Sequence, residues 1–318
     1  MSITPDQSSA LSSSPAPVVY VPPTHAAGNP SVSPDRIAAP VPPVVAPAAP
    51  AAKQIPPRTR KCSNVWGVPF DHVTLDQSID AVDALIQQGT PSYVITANLN
   101  YAMLNHHDPA SMGPVTRDAA LILADGQPIV WRSRWNQEQL PERVAGSEMI
   151  YRLAKRSAEQ GWGIYFLGGE PGVAATCADQ LARQYPGLRI AGIESPPFRQ
   201  LTDQEQADQD ARIQNSGAQI LLVAFGQPKG EKWIHQNYQR LGIPVSIQLG
   251  ASFDFIAGTA TRAPEIWQRF GMEWAYRMMT DPKRLVPRYA ANAWFLIAAL
   301  VEDWRQLVIR WGMWTPQT

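Results

Sequence analysis

The chain has 318 residues, with 27 basic and 27 acidic side chains, so its formal net charge at neutral pH is zero. This balance argues against a partner held mainly by phosphate charge, and no nucleic acid is expected. Cys62 and Cys177 are too few for a disulfide scaffold and indicate a reducing compartment. Neither a signal-peptide pattern nor an apolar run of 18 residues occurs, so we expect a cytoplasmic protein or one on the cytosolic face of a membrane.

The first sixty residues differ in composition from the rest of the chain. Residues 1–60 hold 14 of the 30 prolines and none of the 11 tryptophans. Such a segment cannot bury enough apolar surface to offset the entropy lost on ordering. We predict a disordered Pro/Ala/Ser-rich tail over 1–60, a folded core over 61–264 and a C-terminal helical appendage over 265–318.

Past the tail, short apolar runs alternate with longer segments of helical period. The runs suit buried strands and cover 93–96, 120–124, 163–167, 188–191, 219–225 and 245–249. The helical segments cover 98–107, 146–160, 172–185, 202–216 and 229–241. This alternation predicts an α/β fold, with a Rossmann-like, mostly parallel sheet and helices on both faces.

Small and polar residues follow the predicted strands. The segments are Thr96-Ala-Asn98, Asp125-Gly-Gln127, Gly168-Gly-Glu-Pro-Gly172, Gly226-Gln-Pro-Lys229 and Gly250-Ala-Ser252. Open α/β sheets bind ligands outside the carboxyl ends of their strands, where glycine turns and helix N-termini suit anions. We therefore predict a phosphate-bearing ligand at this edge. The alternative is that the glycines only end strands and start helices.

The C-terminal segment combines aromatic, basic and apolar residues. Lys283, Arg284 and Arg288 precede 13 uncharged residues at 289–301. This stretch is too short to span a bilayer and predicts an amphipathic helix that brings the chain to a membrane surface. A core helix and an oligomer contact are the alternatives, and a homo-oligomer stays open.

Motifs of other protein classes are missing or unconvincing. The chain has no P-loop and no G-x-S-x-G elbow, and no G-x-G-x-x-G follows a strand. Asp208 and Asp210 form a D-x-D, but they diverge on a helix, and we interpret them as a solvated face. His106 and His107 also diverge and lack further ligands. We expect no metal and no cofactor.

Several stretches together resemble the WecG/TagA/CpsF glycosyltransferases, also called glycosyltransferase family 26. The resemblance covers about residues 64–290. Its pieces are Val65-Trp-Gly-Val-Pro-Phe, Thr96-Ala-Asn98, Ala124-Asp-Gly126, Arg143-Val-Ala-Gly146, Phe166-Leu-Gly-Gly169, Pro171-Gly172, Tyr185-Pro-Gly187, Gly226-Gln-Pro-Lys229, Glu231, Trp233, Gly250-Ala-Ser-Phe-Asp254, Gly258, Arg262-Ala-Pro264, Glu273-Trp274, Tyr276-Arg277, Pro282 and Arg288-Tyr289.

The resemblance implies a transferase that moves a hexose or N-acetylhexosamine from a UDP-sugar donor to a polyprenyl-diphosphate-linked sugar acceptor. It implies inversion at the anomeric carbon and no metal. It also implies a peripheral protein on the inner face of a bacterial cell membrane. The product would belong to a surface polymer such as an exopolysaccharide, a capsule or a teichoic acid, and the two sugars stay open.

The resemblance further implies catalytic positions at the sheet edge. Asp125 matches the general base, and a carboxylate at a strand end can take the proton of an acceptor hydroxyl. Its alternative is an aspartate that caps the next helix. Thr96 and Asn98 match contacts to the sugar and the acceptor. Arg143 matches an arginine near the substrate, with a surface arginine as its alternative.

Donor binding is implied for a second set of residues. Arg277, Arg284 and Arg288 are expected to stabilise the UDP leaving group, for which a planar guanidinium is suited. The other donor-binding positions are Gly168, Gly169, Gly172, Gly226, Gln227, Lys229 and Glu231. The chain departs from the family pattern at Gly230, where a glutamine that touches the substrate is expected. Gln227 could supply that amide instead.

Two other functions stay open. One is a nucleotide-binding oxidoreductase on the same sheet, which the missing G-x-G-x-x-G disfavours. The other is a non-catalytic scaffold of a polymer-assembly complex that uses the Pro-rich tail as a partner ligand.

Overall fold

The computed structural model describes residues 60–260, 264, 267, 273–280 and 282–310. Its strands are β1 Cys62–Val65, β2 Val68–Asp71, β3 Ser92–Ala97, β4 Leu121–Ala124, β5 Gly163–Gly168, β6 Arg189–Glu194, β7 Ile220–Ala224 and β8 Val245–Gln248. Its helices are α1 Leu75–Gln88, α2 Leu99–His107, α3 Pro109–Asp118, α4 Gln127–Ser133, α5 Gly146–Gln160, α6 Val173–Gln184, α7 Asp203–Asn215, α8 Lys229–Leu241, α9 Ser252–Ala257, α10 Glu273–Thr280 and α11 Pro282–Arg310.

Strands β3 to β8 form one parallel sheet in the order β4-β3-β8-β7-β5-β6. The central strands are buried on both faces, which explains why β5 and β7 are apolar runs without polar alternation, while β8 also buries Ser246 and Gln248. The predicted α/β fold with a parallel sheet is therefore confirmed. Because all six strands are parallel, their carboxyl ends lie along one edge.

Helices cover both faces of the sheet through cores of buried apolar side chains. One face carries α2, α3, α7 and α8, with Met112 and Tyr238 among the packed residues. The other carries α1, α5, α6 and α9, with Leu153 and Cys177 in its core. From β3 to β6 across the sheet, the helices that follow neighbouring strands leave the edge toward opposite faces, which opens a crevice at the carboxyl ends.

The hairpin of β1 and β2 packs against the C-terminal helix α11. Its turn residues Trp66 and Gly67 have φ values of 50° and 83°, as tight hairpin turns require. The Trp66 ring meets Phe295 of α11 edge-on, with ring centroids 5.8 Å apart, and its N–H donates to Asp303 at 3.1 Å. Arg132 of α4 donates to both carboxyl oxygens of Asp303, at 2.5 and 2.6 Å. These contacts anchor α11 to the core.

The predicted strands and helices are all present, and their ends agree within three residues. The sequence patterns did not identify the hairpin, α1, α3, α4 or α9. The uncharged segment 289–301 lies within α11. The predicted tail, apart from residue 60, lies outside the described residues, and the boundaries of tail, core and appendage stay predictions.

Candidate functional site

Asp125 follows β4 at the carboxyl edge of the sheet and is half-buried. Its backbone N–H donates to the Ala97 carbonyl at the end of β3, at 2.9 Å. A Cβ atom on Gly126 would lie 3.7 Å from Asn98 Cβ, so the two strand ends are in contact. Gly126 is the N-cap of α4. The alternative that Asp125 caps this helix is therefore wrong, and Asp125 lies beside Asn98.

Thr96 and Asn98 both have structural partners at the end of β3. The Thr96 hydroxyl is buried and donates to the Gln248 carbonyl of β8 at 2.9 Å. The Asn98 side-chain oxygen accepts from the Tyr101 N–H at 3.2 Å and caps α2. These bonds fix both side chains at the edge, and their expected contacts with a substrate stay predictions.

The segment before α5 returns to the end of β4 and brings Arg143 to the same edge. The Val144 N–H donates to the Ala124 carbonyl at 2.9 Å. The Arg143 guanidinium donates to Glu148 at 2.8 Å, and the Arg143 side chain is only 19% exposed. The Arg143 side chain is therefore mostly buried and is not an exposed surface arginine. The structure places Thr96, Asn98 and Asp125 at one edge and brings the backbone beside Arg143 to it, and their roles toward a substrate stay predictions.

The glycines at the ends of β5 and β7 fall into two groups. Gly168 has a φ of +111°, and a Cβ atom there would lie 2.8 Å from the Ala224 carbonyl oxygen, so strand packing alone requires glycine. The Gly169 N–H donates to the same carbonyl at 3.1 Å. Gly172 and Gly226 also have positive φ, but a Cβ atom on either would meet nothing within 4 Å. Only this second pair borders open space.

The start of α8 places polar groups beside the β7 end. Lys229, its first residue, is exposed. Gln227 Oε1 accepts from Asn100 Nδ2 at 3.1 Å and from Arg288 Nη2 at 3.0 Å. Glu231 is fully buried, and within the described residues no hydrogen bond reaches either of its carboxyl oxygens. Burial raises the pKa of Glu231 to about 7.

The three C-terminal arginines lie on α10 and α11. Arg288 is exposed and reaches the loop between β7 and α8 through Gln227. The backbones of Arg277 and Arg284 lie in α10 and α11, but their side chains lie outside the described residues. One of the three is therefore placed at the edge, and the other two stay predictions.

The sequence analysis missed Gln248, the last residue of β8. Its side chain is buried, and within the described part of the chain neither polar atom has a hydrogen-bond partner. A Cβ atom on Gly230 would lie 2.5 Å from Gln248 Cδ. The Gln248 amide thus fills the volume that a side chain at 230 would need, whereas Gln227 bonds to Asn100 and Arg288. The available signal was a polar residue inside the apolar run 245–249.

Two motifs that were set aside have structural roles. Asp210 of the D-x-D is 8% exposed and forms an ion pair with Arg240, so its interpretation as part of a solvated face is wrong. The rings of His106 and His107 pack on Phe295 of α11, with centroids 5.5 and 6.0 Å away. These histidines therefore support the docking of α11.

A cavity of about 310 Å³ lies at the carboxyl end of β6, at the sheet edge opposite β4. The Glu194 carboxylate lines it and accepts from Tyr165, Gln209 and Arg212 at 2.6, 2.9 and 2.6 Å. Burial, together with the nearby Glu194 charge, raises the pKa of Tyr165. Three donors therefore hold this carboxylate in place at the cavity wall.

The outer face of α11 carries large apolar side chains in a row. Trp294 is 75% exposed and Trp304 is 64% exposed, with the exposed Ile297 and Val301 between them. Among the described residues, no helix is long and apolar enough to cross a membrane.

The fold and the site define an α/β protein with a candidate ligand site at the carboxyl edge of a parallel sheet. The model of the glycosyl transferase WecG/TagA/CpsF family matches residues 63–308, which include most of α11. The chain therefore belongs to this family, and the expected family is confirmed. As a glycosyl transferase, it takes a sugar donor and an acceptor as substrates.

Proposed function

We propose that this chain is an inverting glycosyltransferase that moves a hexose or N-acetylhexosamine from a UDP-sugar to a polyprenyl-diphosphate-linked sugar. The observation that supports this most is the position of Asp125, a half-buried carboxylate at a strand end beside Asn98 and the segment of Arg143. A carboxylate in such a crevice is suited to general-base catalysis.

In this mechanism Asp125 takes the proton of the acceptor hydroxyl. The acceptor oxygen forms its bond to the anomeric carbon on one face while the bond to UDP breaks on the other, which inverts the configuration. Thr96 and Asn98 orient the acceptor and the sugar, and Arg143 offers positive charge near the reacting groups. The product is the elongated lipid-linked sugar, and UDP leaves with the electron pair.

The leaving diphosphate gains negative charge, which needs cations or backbone N–H groups nearby. Gly172 is the N-cap of α6, and no side chain caps that helix, so its first N–H groups are suited to a phosphate. Lys229 and Arg288 lie at the neighbouring β7 end. The proposal gives Arg277 and Arg284 the same task.

A lipid-linked acceptor places the reaction at a membrane surface. The exposed row of Trp294, Ile297, Val301 and Trp304 on α11 is suited to the interfacial region of a bilayer. The basic residues at the start of α11 suit anionic headgroups. We assign the protein to the inner face of the cell membrane, in the synthesis of a surface polymer such as an exopolysaccharide.

The test compares the full-length protein with the D125N variant. Both are incubated with a panel of UDP-sugars and a lipid-diphosphate-linked sugar, and products are detected by mass spectrometry. D125N is expected to lose transfer by about 100-fold or more, the range of general-base catalysis, while its affinity for UDP stays within threefold of the parent. D179N, which neutralises a carboxylate paired with Arg183 on α6, is the matched control.

Near-normal turnover by D125N would contradict the assignment of the base. Binding of NADH in place of UDP, with no sugar transferred from any donor, would favour the oxidoreductase instead.

A further inference from the structure

Gly230 and Gln248 share one volume between helix α8 and strand β8. A Cβ atom built on Gly230 would lie 2.5 Å from both Cδ and Oε1 of Gln248, and 2.6 Å from its Nε2. No side chain at 230 can coexist with this amide in its present position. Because Gly230 has no side chain, the polar side chain of Gln248 fits between α8 and β8.

The Gln248 side chain, and that of Glu231 next to Gly230 in the chain, are buried. Gln248 is 1% exposed and Glu231 is 0% exposed. Within the described residues, both polar atoms of Gln248 and both carboxyl oxygens of Glu231 lack partners. Buried polar groups in folded proteins nearly always have partners, so the unsatisfied amide of Gln248 indicates a ligand that supplies them.

The strand order locates this pair within the proposed reaction. In the sequence β4-β3-β8-β7-β5-β6, Asp125 follows β4 and the glycines of the proposed diphosphate site follow β7 and β5. Strand β8 lies between them. Neighbouring strands are about 4.8 Å apart, so the β4 and β7 ends are separated by about 14 Å. A hexose whose anomeric carbon lies between the base and the diphosphate would lie over β8.

We propose that the Gln248 amide binds a hydroxyl or acetamido group of the transferred sugar and determines which sugar is accepted. The inference rests on the proposed glycosyl transfer and specifies the subsite of the donor sugar. Gln227 lies between β7 and α8, three residues before Gly230, and Asn100 and Arg288 hold its side chain. Exchange of these two bonds for bonds to a substrate would give the sugar access.

The key variant is Q248M, which keeps the length of the side chain but removes both polar atoms. The affinities of the full-length protein for UDP-glucose, UDP-N-acetylglucosamine and UDP are measured by calorimetry, together with the unfolding temperature without ligand. Q248M is expected to bind its preferred UDP-sugar at least tenfold more weakly, with UDP affinity within twofold of the parent. Its unfolding temperature should equal or exceed that of the parent, because the amide has no partner to lose.

Two further variants serve as controls. Q209M removes another buried amide, which donates to Glu194 at the far edge of the sheet. This variant should lower the unfolding temperature without changing the affinity for the UDP-sugar. G230Q should lower the unfolding temperature through the short contact with Gln248, and the double variant G230Q/Q248A should regain it.

Each outcome has a defined meaning. Unchanged UDP-sugar affinity in Q248M, or an equal loss for UDP and UDP-sugar, would overturn the inference and leave the proposed function intact. A marked loss of stability in Q248M would show that the amide is structural, and it would also overturn the inference. Failure of the double variant G230Q/Q248A to regain stability would overturn the inference too. A parent protein that binds no UDP-sugar would refute the proposed function together with the inference.

Discussion

Replacement of Glu231 by glutamine should make the fold more stable above neutral pH. Glu231 is fully buried, and burial raises its pKa from the ordinary value of 4.5 to about 7. The folded state therefore holds a proton that the unfolded state releases. Wild-type stability is fully present below pH 4.5, falls as pH rises toward about 7 and is constant above that.

The size of this effect follows from the change in pKa. One pKa unit corresponds to about 1.4 kcal/mol, so the rise from 4.5 to about 7 corresponds to about 3 kcal/mol. E231Q, which has no proton to lose, should exceed the parent by about this amount at pH 8 and match it near pH 4.5. For a folded part of this size, the difference at pH 8 is about 6–12 °C in unfolding temperature.

The assay is urea or thermal unfolding of the ligand-free parent and E231Q between pH 4.5 and 8.5. The deciding quantity is the difference in unfolding free energy or unfolding temperature between the two proteins at each pH. E159Q, which neutralises an exposed carboxyl on α5, is the matched control and should give no such pH-dependent difference. Parallel curves of stability against pH for the parent and E231Q would refute the inference that a proton is bound at Glu231 in the folded protein.

Three further predictions concern the packing of the chain and its surface. F295A removes a ring buried against the hairpin and should lower the free energy of unfolding by about 3 kcal/mol, measured by urea unfolding. G168A places a Cβ atom 2.8 Å from a carbonyl oxygen at a φ of +111° and should cost about 2 kcal/mol or more in the same assay. W294S/W304S should weaken partition into anionic vesicles at least tenfold, measured by flotation.

These three predictions have internal controls. G172A changes a glycine of similar φ in open space, so it should cost less than G168A, and an equal loss would contradict the role of strand contact. W294S/W304S should keep the unfolding temperature of the parent, because both rings are exposed. Unchanged vesicle binding by this variant would contradict the membrane-facing role of α11. An unaltered stability of F295A would show that the helix is not docked through this ring.

The sheet could be predicted because its strands are buried on both faces. Runs such as 219–225 contain little but apolar residues, and the helices between them keep a regular period. The hairpin and α4 could not be predicted in this way. Trp66, in the hairpin turn, contacts Phe295 and Asp303, more than two hundred residues away, and no local pattern encodes such contacts.

The site could be predicted in part for a similar reason. Asp125 and Asn98 directly follow strands, and parallel strands bring their carboxyl ends to one edge, so their proximity follows from the topology. Gln248 could not be found because its significance depends on Gly230, a neighbour in space from another element. The same limit applies to Arg143, which reaches the edge through the Val144 backbone bond rather than through a regular element.

The bond between Trp66 and Asp303 joins residues 237 positions apart, which affects how the protein matures on the ribosome. At a synthesis rate of about 5–20 residues per second, the hairpin emerges on the order of ten to fifty seconds before its helical partner exists. Throughout that interval the indole ring of Trp66 lacks its packing partner on the helix. Nascent chains should therefore display this aromatic group to cellular chaperones until translation is nearly finished.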